Sequence, residues 1–314
     1  MESIDIFKEV IGSRICPLVV KYKPYMDRFE TYPFRHAFDR NFENMFANAL
    51  FDSIVFYAYE KDEIEKEYEK NHLNDLRKAS RVAYSRVPKT EKENDGLMGE
   101  LTLDCFIKLF FPNIELLYSR AKYMERFPHK EENPIQIGHE IKGYDGFVFS
   151  IENNKKFFWA GQVKTGGWDY CFSSIKGDIN KSIINYYFSD AIAIMCDIMR
   201  ATSSTSEALT KIIDDINEII YDCNGEREKQ MRSIVNYFKA SDISIRIPCL
   251  LMPDEANYND ETMILNAIKA KVKSAFSEFA LVNDENIDVE VLILVFPMRN
   301  LQNVRKLFLE IRQS

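Results

Sequence analysis

Four polar residues combine type and spacing in a way that could do chemistry. Glu100 follows Gly99, Asp145 lies within Gly143-Tyr144-Asp145-Gly146, and Gln162 and Lys164 lie within Gly161-Gln162-Val163-Lys164. Asp145 heads a strand-like run at 144–151, and Gln162 and Lys164 fall at the end of another at 156–163. Glu152-Asn153-Asn154-Lys155 separates the two runs, and an Asn-Asn pair suits a tight hairpin turn. A hairpin closing there brings Asp145 to the end that holds Gln162 and Lys164. Residues i and i+2 of a strand share a face, so Gln162 and Lys164 point the same way and Val163 points into the core. One face then gathers a carboxylate, an amide oxygen and an ammonium, and Glu100 could supply a second carboxylate. Metal-assisted phosphodiester hydrolysis needs this mixture. Hard Mg²⁺ (or Mn²⁺) takes oxygen ligands and keeps several waters. It stabilises charge on the phosphoryl oxygens and helps ionise the attacking water. A lysine beside it can orient that water. The metal set expected is Asp145, Gln162 and Glu100, with Val163 as a further member.

Each residue also has a plainer reading. Asp145 between glycines could cap a turn, Lys164 could be a solvated charge, and Glu100 could complement a helix dipole from the first turn. Glu140 could be an additional ligand or a surface charge, and His139 beside it a base, a phosphate contact or a structural residue. Trp159 reads as core. Trp168, after Gly166-Gly167, reads as packing or as a substrate or partner contact. The segment 71–87 carries Arg77, Lys78, Arg81 and Arg86. These form either one solvated helix face or a track for DNA phosphates or a partner. Gly-x-x-x-x-Gly-Lys-Ser/Thr, Gly-x-Gly-x-x-Gly, His-Glu-x-x-His and Gly-x-Ser-x-Gly motifs are missing, so any motor activity must come from a partner.

The elements that must position these residues follow from periodicity. Helical spacing predicts a helix from Arg35 to about Tyr59 (Phe38, Phe42, Met45, Phe46, Ala49, Leu50), continued by a charged stretch at 60–70. Further helices are predicted at 97–110, 172–199, 206–222, 227–239, 261–281 and 299–312. Strands are predicted at 114–119, 144–151, 156–163, 243–251 and 288–296, the last buried on both faces. This order predicts an α/β or α+β fold with a mixed central sheet flanked by helices. It also predicts a single domain over 1–314: an extension at 1–96, a catalytic core at 97–200, and a helical insertion with C-terminal strands and helices at 201–314.

Composition bounds the partners. The 314 residues are 46% hydrophobic and 29% charged, which excludes disordered, collagen-like and coiled-coil chains. Six scattered cysteines form no Cys-x-x-Cys pair and read as buried thiols. The acidic N-terminus has no apolar signal region, and 183–199 is interrupted by Asn185, Asp190 and Asp197; both point to a cytoplasmic protein without a membrane span.

The helix with Glu100, the strand with Asp145 and the strand ending Gln162-Val163-Lys164 resemble the PD-(D/E)xK nuclease superfamily, with Gly-Tyr-Asp145 where Pro-Asp is common. Gln162 stands where Asp or Glu is usual; Gln-x-Lys also occurs in the Mrr-like branch. The resemblance implies a restriction-endonuclease-like core with helical additions. Gly99-Glu100, Gly-Tyr-Asp-Gly, Trp159-Ala-Gly-Gln-x-Lys and the helix near Phe172 are similar to the HamA family, the nuclease subunits of Hachiman antiphage defence. So are the Phe34-Arg-His-Ala-Phe helix and the strand ending Leu294-Val295-Phe296-Pro297, and the similarity spans roughly 30–314. It implies a metal-dependent DNA nuclease beside a superfamily 2 helicase (HamB-like), with DNA as substrate. The neutral Gln162 keeps open a degenerate nuclease fold that senses DNA or regulates a helicase, and a stand-alone restriction-type endonuclease is a third reading.

With 41 Lys+Arg against 49 Asp+Glu, the net charge of −8 argues against a nucleic-acid protein at first sight. Acidity concentrates at 60–70 and 90–95, whereas 77–89 and parts of 142–181 cluster Lys and Arg, and a partner that delivers DNA reduces the need for a basic surface. The isolated chain should therefore bind DNA weakly, with affinity falling steeply between about 50 and 200 mM salt. Tight, salt-resistant binding in a titration of the chain alone would contradict this.

Overall fold

The structure is a computed structural model in which the described residues are 2–59, 61–87, 96–111, 114–118, 146–184, 207–256, 258, 260–283 and 286–313. A helical run at 3–15, wound as a π-helix over Lys8–Gly12, opens the chain. Strands β1 (Val19–Lys21), β2 (Tyr25–Met26) and β3 (Glu30–His36) follow. Next come helices α1 (Phe42–Asp52), α2 (Ile54–Ala58), α3 (Lys61–Glu69), α4 (Leu76–Tyr84) and α5 (Leu97–Phe110). Strands β4 (Ile114–Tyr118), β5 (Gly146–Glu152) and β6 (Lys155–Gly166) lead into α6 (Trp168–Ile184), α7 (Glu207–Asp222) and α8 (Arg227–Ala240). The chain ends with β7 (Ile243–Pro253), α9 (Glu261–Phe276), β8 (Val289–Val295) and α10 (Leu301–Gln313).

The strands described make one mixed sheet in the order β1-β3-β8-β7-β6-β5-β4, with β2 paired to β3. The β4-β5-β6 meander is antiparallel, and β6-β7, β7-β8 and β3-β8 are parallel. The β5–β6 turn places Asn153 and Asn154 at φ 51° and 67°, the left-handed pair that a two-residue hairpin needs and that Asn tolerates. Period-2 alternation then divides the core. Val148, Phe157, Trp159, Val163, Leu250, Leu292 and Leu294 face the 3–15 run, α1, α2, α4, α5 and α10. Phe149, Phe158, Ile245, Cys249, Leu251 and Ile293 face α6 to α9. The expected mixed sheet with helices on both faces is what the chain forms. Trp159 is fully buried, and its indole N–H donates to Ser150 Oγ at 2.8 Å.

The structure departs from the periodicity at residues 35–41. No helix starts at Arg35; Glu30–His36 is a strand, and α1 begins at Phe42. The segment pairs in parallel with β8 and antiparallel with β1, and that two-sided pairing outweighs a local helical spacing. Phe38, one of the apolar residues at helical spacing, is left 50% exposed in the loop that follows. The helix at 261 ends at Phe276 rather than near 281. The helix expected over 172–199 starts earlier, at Trp168, and its part beyond 184 lies outside the described residues.

His36 closes β3 as the middle layer of a stack. Its ring lies 3.9 Å from that of Tyr258 and 4.4 Å from that of Phe42, both near parallel. Its backbone N–H donates to Tyr258 Oη, and Nδ1 lies 2.6 Å from the Ala37 carbonyl, so Nδ1 carries the proton. Nε2 is buried with no hydrogen-bond partner among the described residues. Burial pushes the His36 pKa down, ahead of the opposing effects of the Ala37 carbonyl and Glu43; Arg299 and Arg35 push it down further. The fold thus favours neutral imidazole. Its contribution to stability is full above the unfolded value near 6.5 and is lost as pH falls below that. Urea midpoints should drop between pH 7.5 and 5.5 in the parent chain by more than in His36→Phe; equal drops would remove His36 as the cause.

Candidate active site

β6 carries two of the candidate residues, Gln162 and Lys164. Gln162 pairs across from Cys249 and Lys164 across from Leu251, so both side chains lie on the α6 face of the sheet, while Val163 lies on the α5 face beside Leu250. Gln162 is buried, at 4% exposure. Lys164 Nζ forms an ion pair with Asp178 Oδ2 of α6 at 2.5 Å. Cys171, one helical stripe earlier on α6, donates its thiol to the Lys164 carbonyl at 3.4 Å, which ties helix and strand together at this level. Desolvation pushes that thiol up to about 12, so it stays a neutral donor.

Glu100 reaches the same strand end from the other side of the sheet. Gly99 makes this possible: a Cβ there would lie 3.0 Å from Val163 Cγ2 and 3.2 Å from Thr165 Cγ2. Hydrogen at that position lets the first turn of α5 close on β6 without displacing either side chain. Gly96, at φ +85°, begins the helix in a conformation that glycine adopts freely. Glu100 is 6% exposed, and its Oε2 accepts a hydrogen bond from Tyr57 Oη at 2.9 Å. A buried carboxylate needs such a donor.

Asp145, Glu140 and His139 lie outside the described residues. The residue after Asp145, Gly146, is directly across from Gly161, the residue before Gln162. The donors described here are oxygens (the Gln162 amide and the Glu100 carboxylate), which suit a hard cation rather than a thiophilic one. Among the described residues no group of three His, Cys, Asp or Glu could hold a metal ion.

Trp168 is built into the packing. Its indole N–H donates to Glu255 Oε2 at 3.0 Å, Phe172 stacks beside it, and Lys271 Nζ lies 4.8 Å over the ring. The basic residues divide into two kinds. Arg77 donates from Nε to the buried Asp52 carboxylate at 2.5 Å and from Nη2 to Asn48, and Arg14 holds the other Asp52 oxygen at 2.6 Å. Arg86 pairs with Glu63 and lies 4.3 Å from the Tyr59 ring. Lys78 and Arg81 lie on the exposed face of α4, whose N-terminus Asp75 caps. Two of the four are thus paired with carboxylates and two lie on an exposed helix face.

Asp178, Tyr57 and Arg305 were missed in the sequence. Asp178 had a signal: it falls three residues after Ile175 and one before Ile179, inside the apolar stripe of α6. Tyr57 had none within its apolar run. Arg305 donates from Nη2 to the Thr165 carbonyl at 3.1 Å and also to Thr165 Oγ1, a contact between residues 140 apart in sequence.

The HamA family model matches residues 24–311. The chain belongs to the HamA family. Membership makes it a component of a Hachiman antiviral defence system. Searches of curated proteins and of solved structures returned no match. No helix among the described residues of this HamA-family chain is long and apolar enough to cross a membrane.

Replacing Arg77 removes a partner from a carboxylate that is itself 2% exposed. Arg77→Ala should lower unfolding free energy by about 1–3 kcal/mol, whereas Lys78→Ala should change it by less than about 0.5 kcal/mol. Denaturant melts of the two variants check this, and equal stabilities would contradict it.

Proposed function

We propose that this HamA-family chain is the metal-dependent DNA nuclease of a two-component defence complex, cutting DNA beside a superfamily 2 helicase. The observation that carries the reading is the end of β6. Gln162 and Lys164 share one face there, Gly146 of the neighbouring strand is paired one residue away, and Gly99 brings the turn bearing Glu100 against the same strand. The order α5, β4-β5-β6 meander, α6, parallel β7 supports a PD-(D/E)xK core. Family membership supports the defence role.

In this reading Asp145, Gln162 and Glu100 would hold Mg²⁺ or Mn²⁺, with Val163 beside them in the set. The ion, when bound, would supply Lewis-acid stabilisation of charge on the phosphodiester. Lys164 is a charge of fixed position: Asp178 holds its ammonium at 2.5 Å, so it can orient a water and offset negative charge without first reorganising. Tyr57 fixes the Glu100 carboxylate in the same way.

Gln162 favours a second reading, a degenerate nuclease that senses DNA or regulates the helicase. A buried neutral amide donates one charge fewer to a cation than the acid usual at this place. Degradation of plasmid DNA by the purified complex with ATP and Mg²⁺, against an EDTA control, separates the two. Asp145→Ala and Lys164→Ala should each lower cleavage by about 100-fold or more with unchanged melting temperature. Wild-type cleavage by both variants would refute the site.

A further inference from the structure

Two residues past Lys164, β6 ends in a feature that the hydrolytic site does not use. Gly166 has φ +152°, and the Tyr170 ring packs over it: a Cβ there would lie 3.1 Å from Tyr170 Cδ1. Tyr170 is nonetheless 56% exposed, so one side of the ring rests on bare backbone and the rest faces solvent. Gly167 next to it is exposed, and a Cβ added there would meet nothing. The surface is therefore open up to the main chain.

Arg305 borders this opening. Its guanidinium is anchored through Nη2 to neutral Thr165, between Lys164 and Gly166, and it lies within electrostatic reach of Tyr170 and Asp254. The acids nearby have other work. Asp254 accepts from the Leu301 N–H at the start of α10, and Glu255 accepts from Trp168. Among the described residues Arg305 makes no salt bridge, and Asp254 acts on its charge without pairing with it. An exposed aromatic ring near an anchored guanidinium that makes no salt bridge is a pairing that holds single-stranded nucleic acid: a base stacks on the ring and the adjacent phosphate meets the cation. A paired base has no free face to offer, which selects against duplex.

We infer that Tyr170 and Arg305 form a docking subsite for single-stranded DNA, with an unstacked base on Tyr170 and its phosphate on Arg305, leading the next phosphodiester toward Lys164. The inference rests on the nuclease reading for its direction, since the strand from Lys164 to Gly166 spans about 6.6 Å, a reach that an unstacked backbone covers within two nucleotides.

The test uses the full chain and binding without turnover. A fluorescein-labelled oligo-dT 12-mer and a hairpin duplex are titrated by anisotropy at low salt with Ca²⁺ in place of Mg²⁺. The single strand should bind more tightly than the duplex. Tyr170→Ala should weaken it about tenfold, while Tyr170→Trp should restore it. Arg305→Gln should reduce the salt dependence by about one phosphate contact, a log–log slope change of about 0.7. Unchanged single-strand affinity in Tyr170→Ala, or equal loss in Tyr170→Trp, overturns the subsite even if Lys164→Ala has lost all cleavage. Cleavage by Lys164→Ala at the wild-type rate overturns the role of Lys164 instead, absence of any cleavage by the complex overturns the nuclease reading, and the anisotropy still decides the subsite.

Discussion

The approach of Gly99 to Val163 and Thr165 sets how the rest of the site is held. β6 cannot yield to α5, because β5 and β7 hydrogen-bond it on both edges. The helix must come to the strand, and glycine is the residue that lets it. Once α5 is seated, Glu100 meets Tyr57, and the first turn is fixed from a second direction. On the opposite face α6 contributes the Cys171 thiol to the Lys164 carbonyl and Asp178 to the Lys164 ammonium. Arg305 closes the end from α10. One strand end is thereby gripped by three helices, each through a different kind of contact.

The net charge of −8 takes on a different meaning once the ion pairs are placed. The most basic stretch of sequence spends Arg77 on the buried Asp52 and Arg86 on Glu63. Those guanidinium groups hold α4 against α1 and α3 and are only partly free to meet phosphates. A similar cost falls on Arg246, which is 9% exposed, pairs with Glu152 and Glu290, and lies 3.7 Å over the Phe157 ring. Much of the positive charge in this chain is structural. What remains beside the β6 end is a small number of positioned cations, and under the proposed function these would meet DNA delivered by another subunit.

Much of the fold could be read from local pattern. Leu97–Phe110 and the Asn153-Asn154 hairpin lie where periodicity and turn chemistry put them, because their stabilising contacts are close in sequence. The shared face of Gln162 and Lys164 followed from the two-residue period alone. β3 was misread because its partner β8 lies near the other end of the chain, and a run containing Phe38 and Phe42 mimics a helix when that partner is unknown. The same limit hid the second layer of the site. Tyr57, Asp178 and Arg305 matter through what they touch, and each touches a residue on a different element, so composition and spacing carry no trace of the pairing except for the misplaced acid in α6.

The parallel pairing of β6 with β7 has a consequence for how the protein is made. Gln162 and Lys164 find their neighbours Cys249 and Leu251 only after α6, α7 and α8 have been traversed, and β3 finds β8 only near the end of the chain. Such non-local pairings are slow to form because loop closure precedes their reward. A ribosome therefore releases most of this polypeptide before the strand bearing Lys164 has its second edge. Chains that end before β7 lack the second edge of β6, so the strand that carries Lys164 is completed late in synthesis.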